Sequence, residues 1–191
     1  MQAYRFCPQC GAPLQLLPLS GRERYACIEH GCGFVHWNNP LPVLAAVVEY
    51  EDKLLLARNA AWPEKMFALV TGFLERDETP EEGVARELKE ETNLDAQGVS
   101  LIGVYEFMRK NELIIAYHVQ ATGTVALSEE LAEYKLVAPE DMRIWSAGTG
   151  FAVADFLARR GYPVRFFDRQ TGADIPDPRL RGGDASLQYR L

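Results

Sequence analysis

Three glutamates, Glu87, Glu90 and Glu91, fall within the run Arg86-Glu87-Leu88-Lys89-Glu90-Glu91. Residues three and four apart are neighbours on a helix surface, so in a helix these three carboxylates converge. Converging carboxylates repel one another near neutral pH. Either their pKa values rise or a multivalent cation sits among them. Hard oxygen donors suit Mg²⁺ or Mn²⁺, ions that in turn coordinate phosphate oxygens. The plain alternative is a solvated acidic helix face. Against it, Glu75 to Glu91 holds 8 acids and 3 bases, a local balance of −5 in a chain whose net charge is −7. Lys89 offers little compensation, and the loop at Gly72 brings backbone carbonyls that can complete a metal shell.

A second set of ligand types lies near the N-terminus, where all four cysteines precede residue 33. In Cys7-Pro8-Gln9-Cys10-Gly11 a two-residue spacer lets both thiolates face one ion while Gly11 turns the backbone behind them. Cys27 and Cys32 form the second pair. Four thiolates close a tetrahedral Zn²⁺ shell with no open position, which makes such a site structural. His30 could replace a thiol, but four cysteines already fill the shell, so it reads as an exposed turn residue. His36 reads as packing at the ribbon's edge. Residues 37–42, Trp-Asn-Asn-Pro-Leu-Pro, form a turn-rich linker.

The remaining elements must position the acids. Val43 to Glu49 is an apolar, β-branched run expected as a buried strand, followed across Glu51-Asp52 by a second strand over Lys53 to Arg58. Phe67 to Thr71 reads as a third strand stopping at Gly72. Val99 to Met108 and Glu112 to Ala121 read as longer strands. Thr79-Pro80-Glu81-Glu82 carries three helix-start signals: a capping threonine, proline at the first helical position, and a glutamate that completes a capping box. Val84, Ala85 and Leu88 give that helix an apolar face. A second helix is expected over Thr149 to Arg160, with Phe151, Phe156 and Leu157 inward. Strands around two helices imply an α+β class.

With Gly72, Glu78 and Arg86-Glu87-Leu88-Lys89-Glu90-Glu91-Thr92-Asn93-Leu94 in place, the chain resembles the Nudix hydrolases. Their signature ends on glycine where this chain has Asn93, the next-best residue for a left-handed helix end. The resemblance implies an α/β/α sandwich with a mixed β-sheet, preceded by the small zinc ribbon. It implies that Glu87, Glu90 and Glu91 ligate Mg²⁺ or Mn²⁺, helped by a carbonyl at Thr71 or Gly72, and that Arg86 pairs with Glu78. A further acid from a later loop joins the metals or acts as base in many relatives. Glu133 looks like that position, with an exposed helix acid as the ordinary reading. Either Glu91 or Glu133 would take the proton from water, and Glu75 could help orient the site. The ribbon makes the chain similar to NADH pyrophosphatases and plant-type FAD pyrophosphatases. It lacks the Ser-Gln-Pro-Trp-Pro-Phe-Pro element of the former, so the resemblance selects neither dinucleotide. Tyr105, Phe107 and Tyr117 could stack a base, although strand aromatics are more often core. His118 reads as a packed histidine.

These readings divide the 191 residues into a ribbon (1–39), a catalytic domain (40–165) and an extended tail (166–191), with an edge strand expected near Val164 to Phe167. The expected reaction is Mg²⁺- or Mn²⁺-dependent hydrolysis of a nucleoside diphosphate linked to another moiety, such as FAD, NADH or ADP-ribose, releasing a nucleoside monophosphate. The competing reading is a non-catalytic nucleotide sensor whose ribbon binds DNA or a protein. An acidic chain has no global electrostatic reason to coat nucleic acid or an anionic membrane. No apolar run is long enough to span a bilayer. The chain reads as cytosolic, and a homodimer is expected from the resemblance.

Overall fold

The computed structural model describes residues 4–181. The chain divides into two compact units, one ending at Pro40 and the other beginning at Leu41.

The first unit is a three-stranded antiparallel sheet, β1 (Leu14–Leu19), β2 (Arg22–Cys27) and β3 (Val35–His36). Two tight turns flank it. Gly11, Gly31 and Gly33 all adopt positive φ, a region where a Cβ is disfavoured, beside the two cysteine pairs. His36 packs edge-on against Tyr4, ring centroids 4.7 Å apart, and His30 is exposed.

The second unit contains β4 (Leu41–Tyr50), β5 (Lys53–Asn59), β6 (Val70–Phe73), α1 (Pro80–Thr92), β7 (Asp95–Phe107), β8 (Glu112–Thr122), β9 (Leu131–Val137), β10 (Arg143–Trp145), α2 (Gly150–Arg159), β11 (Arg165–Phe167) and β12 (Asp174–Ile175). Its main sheet runs β7-β8-β4-β5-β9. The sheet is mixed because β4 and β8 are parallel while the other pairs are antiparallel. β4 pairs with β5 only over Val48–Tyr50, and its other half, Val43–Ala46, pairs with β6. Side chains alternate across a strand. Leu44, Ala46 and Val48 therefore enter a core beneath α1, while Val43, Ala45 and Val47 enter one beneath α2.

Two helices on a mixed sheet match the expected α+β class. Several boundaries move. The strand expected over Phe67 to Thr71 lies at Val70–Phe73, and Gly72 does not end it but pairs with Leu44 inside it. Glu133, whose ordinary reading was a helix acid, lies on β9, antiparallel to β5. Of residues 166–181, expected within an extended tail, Phe166 is buried and β12 pairs with β11 in a small sheet with β10. The rest of the expected tail, 182–191, lies outside the described residues. Among the described residues no helix is long and apolar enough to cross a membrane.

Candidate active site

The capping box at the start of α1 is complete: Thr79 Oγ1 accepts from the Glu82 backbone N–H, and Glu82 accepts from the Thr79 backbone N–H at 2.8 Å. At the other end Asn93 takes the left-handed conformation, φ 63°, that a glycine would otherwise supply. Leu88 and Val84 anchor the helix on the sheet. Glu87, Glu90 and Glu91 thereby share one flank of the helix, with Glu87 against β6.

Arg86 organises this flank. Its Nε and Nη2 donate to both oxygens of Glu78 at 2.9 and 2.8 Å, and Nη1 donates to Glu87 at 2.8 Å and Glu90 at 3.0 Å. Nη2 also reaches the Phe73 carbonyl. The hydrogen bonds from Arg86, joined by one from the Glu75 backbone N–H, hold the Glu78 carboxyl at about 2. Glu75 itself thus contributes through its backbone. Lys89, by contrast, turns away to Asn93 and Asp95. Compensation for the acids comes from Arg86.

Gly72 lies against Glu87. A Cβ at Gly72 would fall 1.8 Å from the Glu87 carboxyl carbon, so only glycine leaves room for that carboxylate beside the β6 backbone. Burial raises the pKa of Glu87, opposed by Arg86.

Glu91 is different. Among the described residues its carboxylate has no hydrogen bond or ion pair. Burial first, then the charges of Glu87, Glu130 and Glu90, push it up to about 7. Glu130 was not singled out in the sequence. The segment before β9 docks on the end of α1, with Ala126 N–H donating to the Thr92 carbonyl and Ser128 N–H to the Glu91 carbonyl. That docking brings Glu130 into the field of Glu91, and no local sequence signal announces it. Glu133 is instead paired with Arg58 at 3.4 Å and is not among the charges that shift Glu91.

The aromatic residues considered as base platforms are otherwise engaged. Tyr105 donates to Asp155, Tyr117 donates to Glu81, and Phe107 lies under Arg109 and Lys110. His118 is buried against Phe156 and paired with Glu49 at 2.7 Å, as a packed histidine should be.

In the first unit the four sulfurs lie within 4.8 Å of one another. Cys7–Cys32 and Cys10–Cys27 are 3.6 and 3.5 Å apart. Sulfurs on a tetrahedral Zn²⁺ with 2.3 Å bonds stand about 3.8 Å apart, so the spacing fits. Burial opposes ionisation of Cys7, but the backbone N–H groups of Cys10 and Gln9 outweigh it and hold the thiol at about 7.

A Gly72-braced helix carrying three carboxylates under one arginine, on a mixed sheet between two helices, is the architecture of a Nudix domain. The NUDIX domain model matches residues 39–158, and the chain belongs to that family. Among curated relatives it is similar to the NAD-capped RNA hydrolase NudC of Vibrio atlanticus (strain LGP32), 32% identical over 116 residues, or 61% of this chain and 42% of the relative. It is also similar to NudC of Mycobacterium tuberculosis (strain ATCC 25618 / H37Rv), 34% identical over 101 residues, or 53% and 29%. The chain thus spans less than half the length of these relatives. A NUDIX hydrolase from Nitrosomonas europaea shares the fold with a TM-score of 0.63, 24% identity, and coverage of 84% of this chain and 96% of that one. A UDP-X diphosphatase gives 0.53 at 19% identity, covering 70% and 69%.

Proposed function

We propose that the chain is a pyrophosphohydrolase that cleaves the diphosphate of an NAD-type dinucleotide or a related nucleoside diphosphate linked to a second moiety. The observation that carries this reading is Glu91, a half-buried carboxylate without a cationic partner among the described residues, beside Glu87, Glu90 and Glu130. An acid left so is poised for a divalent cation or for proton transfer. The glycine cradle at Gly72 and the all-oxygen donor set fit Mg²⁺ or Mn²⁺. Glu87, Glu90 and Glu91, with the carbonyl of Thr71 or Gly72, would hold the ion. When bound, it would neutralise diphosphate charge and acidify water.

The protein's own groups do the rest. Arg86 fixes Glu87 and Glu90 from one side and ties the 73–78 loop to α1 through Glu78. A carboxylate oxygen of Glu91 accepts the proton as water attacks one phosphorus. The new bond is water oxygen to phosphorus, the broken bond joins that phosphorus to the bridging oxygen, and the second phosphate leaves with that oxygen. Glu133, the other base expected from sequence, is engaged by Arg58, which favours Glu91.

The choice of dinucleotide follows from the similarity to NudC, an NAD-capped RNA hydrolase by name. In the ribbon, the cysteine spacing supports one structural Zn²⁺ per chain. Nothing observed favours the non-catalytic sensor.

The test is incubation of the whole chain with Mg²⁺ or Mn²⁺ and NADH, NAD⁺, FAD, ADP-ribose or diadenosine polyphosphates. A nucleoside monophosphate should appear, and Glu91→Gln should suppress it at least about 100-fold. Failure to cleave any of them, or equal turnover by the variant, would overturn the reading.

A further inference from the structure

A cleft lies on the α2 side of the main sheet, away from the three glutamates. It measures about 220 Å³. Phe67, Trp145 and Phe167 supply aromatic walls, and Lys65, Lys135 and Arg143 line it. Each ring carries one cation. The Lys135 ammonium is 4.4 Å from the Phe67 centroid, the Arg143 guanidinium 5.0 Å from Phe167, and that of Arg169 5.1 Å from Trp145.

The charge here runs against the chain's acidic balance. Three cations, Lys65, Lys135 and Arg143, line the cleft with one carboxylate, Asp141, while Asp174 pairs with Arg143 and the charge of Glu133 acts on Lys135. Among the described residues Lys65, Lys135 and Arg169 have no carboxylate partner. Arg169 donates only to the Phe67 carbonyl at 3.2 Å. Burial depresses the pKa of both Lys135, where the charge of Glu133 opposes it in part, and Arg169. Phe167 and Arg169 also lie beyond the residues that match the family model, which end at 158. The small sheet of β10, β11 and β12 builds this wall.

We propose that this cleft is a second ligand site, separate from the carboxylate site, that takes a nucleoside monophosphate. Its volume admits a nucleobase beside the cation-capped rings, and Lys65 and Lys135, backed by Arg169 over Trp145, receive the phosphate. An isolated phosphate would fill only part of a cleft of this volume, and an uncharged base would leave Lys65 and Lys135 without an anion in contact. The inference does not rest on the hydrolytic reading.

Calorimetric titration with AMP in buffer free of divalent ions tests it, using the whole chain. AMP should bind saturably, one per chain. Adenosine and inorganic phosphate should each bind at least about tenfold more weakly, since each lacks one half of the match. Lys135→Gln and Arg169→Gln should each weaken AMP about tenfold, the loss of one charge-assisted contact. Glu91→Gln should bind AMP as the parent does. Thermal melting checks that each variant folds, and Lys65→Gln replaces either one that does not. The proposal falls if AMP shows no saturable binding in the millimolar range, or if the cation variants bind unchanged. It also falls if Glu91→Gln abolishes binding, or if phosphate alone binds as tightly as AMP.

Discussion

Arg86 and Glu78, eight residues apart, meet as two parallel hydrogen bonds of 2.9 and 2.8 Å, and the same guanidinium reaches Glu87 and Glu90. One planar group therefore sets the position of both the loop and two of the three acids. Arg86→Lys keeps the charge but loses the fork. It should lower kcat/KM about 100-fold, because the fork that places Glu78, Glu87 and Glu90 together is lost and misplaced ligands lose productive geometry. Steady-state kinetics on the best substrate would show this, and an unchanged kcat/KM would refute it.

Gly72→Ala tests the cradle. The added methyl must displace the Glu87 carboxylate, a flexible group, so the fold should survive with a small change in melting temperature. Turnover should fall at least about tenfold, because a misplaced ligand loses productive geometry. A fully active alanine variant would show that Glu87 need not lie against β6.

Glu130 raises the Glu91 pKa, whereas Glu133 does not enter its surroundings. In the metal-free protein, carboxyl NMR should therefore show Glu91 titrating below about 7 in Glu130→Gln and unchanged in Glu133→Gln. The opposite ordering would restore Glu133 as the nearer acid.

The Glu78–Arg86 pair sets a pH signature. Glu78 is depressed from 4.5 to about 2, so the folded state holds its proton less tightly than the unfolded one. Its stabilisation is full above pH 4.5 and is lost as pH falls towards 2. Urea midpoints measured across that window should decline less steeply for Glu78→Gln than for the parent.

The four sulfurs make a quantitative demand. Metal analysis of protein purified without chelator should find about one Zn²⁺ per chain. Cys10→Ser should release it and unfold the ribbon, which has too little core to stand without its ion. A metal-free yet folded ribbon would contradict this.

Much of this arrangement was legible in the residues. Thr79, Pro80 and Glu82 announce the start of α1, and its 3.6-residue period places the acids together whatever the rest of the chain does. The Cys7/Cys10 spacing is equally local. What stayed hidden depends on contacts between distant segments. Glu133 sits in a run that local pattern cannot assign, and only pairing with β5 makes it a strand facing Arg58. Glu130 reaches Glu91 through backbone bonds from Ala126 and Ser128 that no sequence period encodes. The boundary of β6 moved because Gly72 suggests a break, whereas here its missing side chain serves an approach from the helix. Phe166 falls in the edge strand expected over 164–167, but its burial stays hidden because its partners lie on elements formed far upstream.

The alternation along β4 has a further reach. Leu44, Ala46 and Val48 belong to one core and Val43, Ala45 and Val47 to the other, so the two halves of the domain share a backbone wall and almost no side chains. Such a partition lets one side drift while its opposite is conserved. A lineage can remodel the aromatic cleft with the glutamate-bearing side insulated behind the same ten residues.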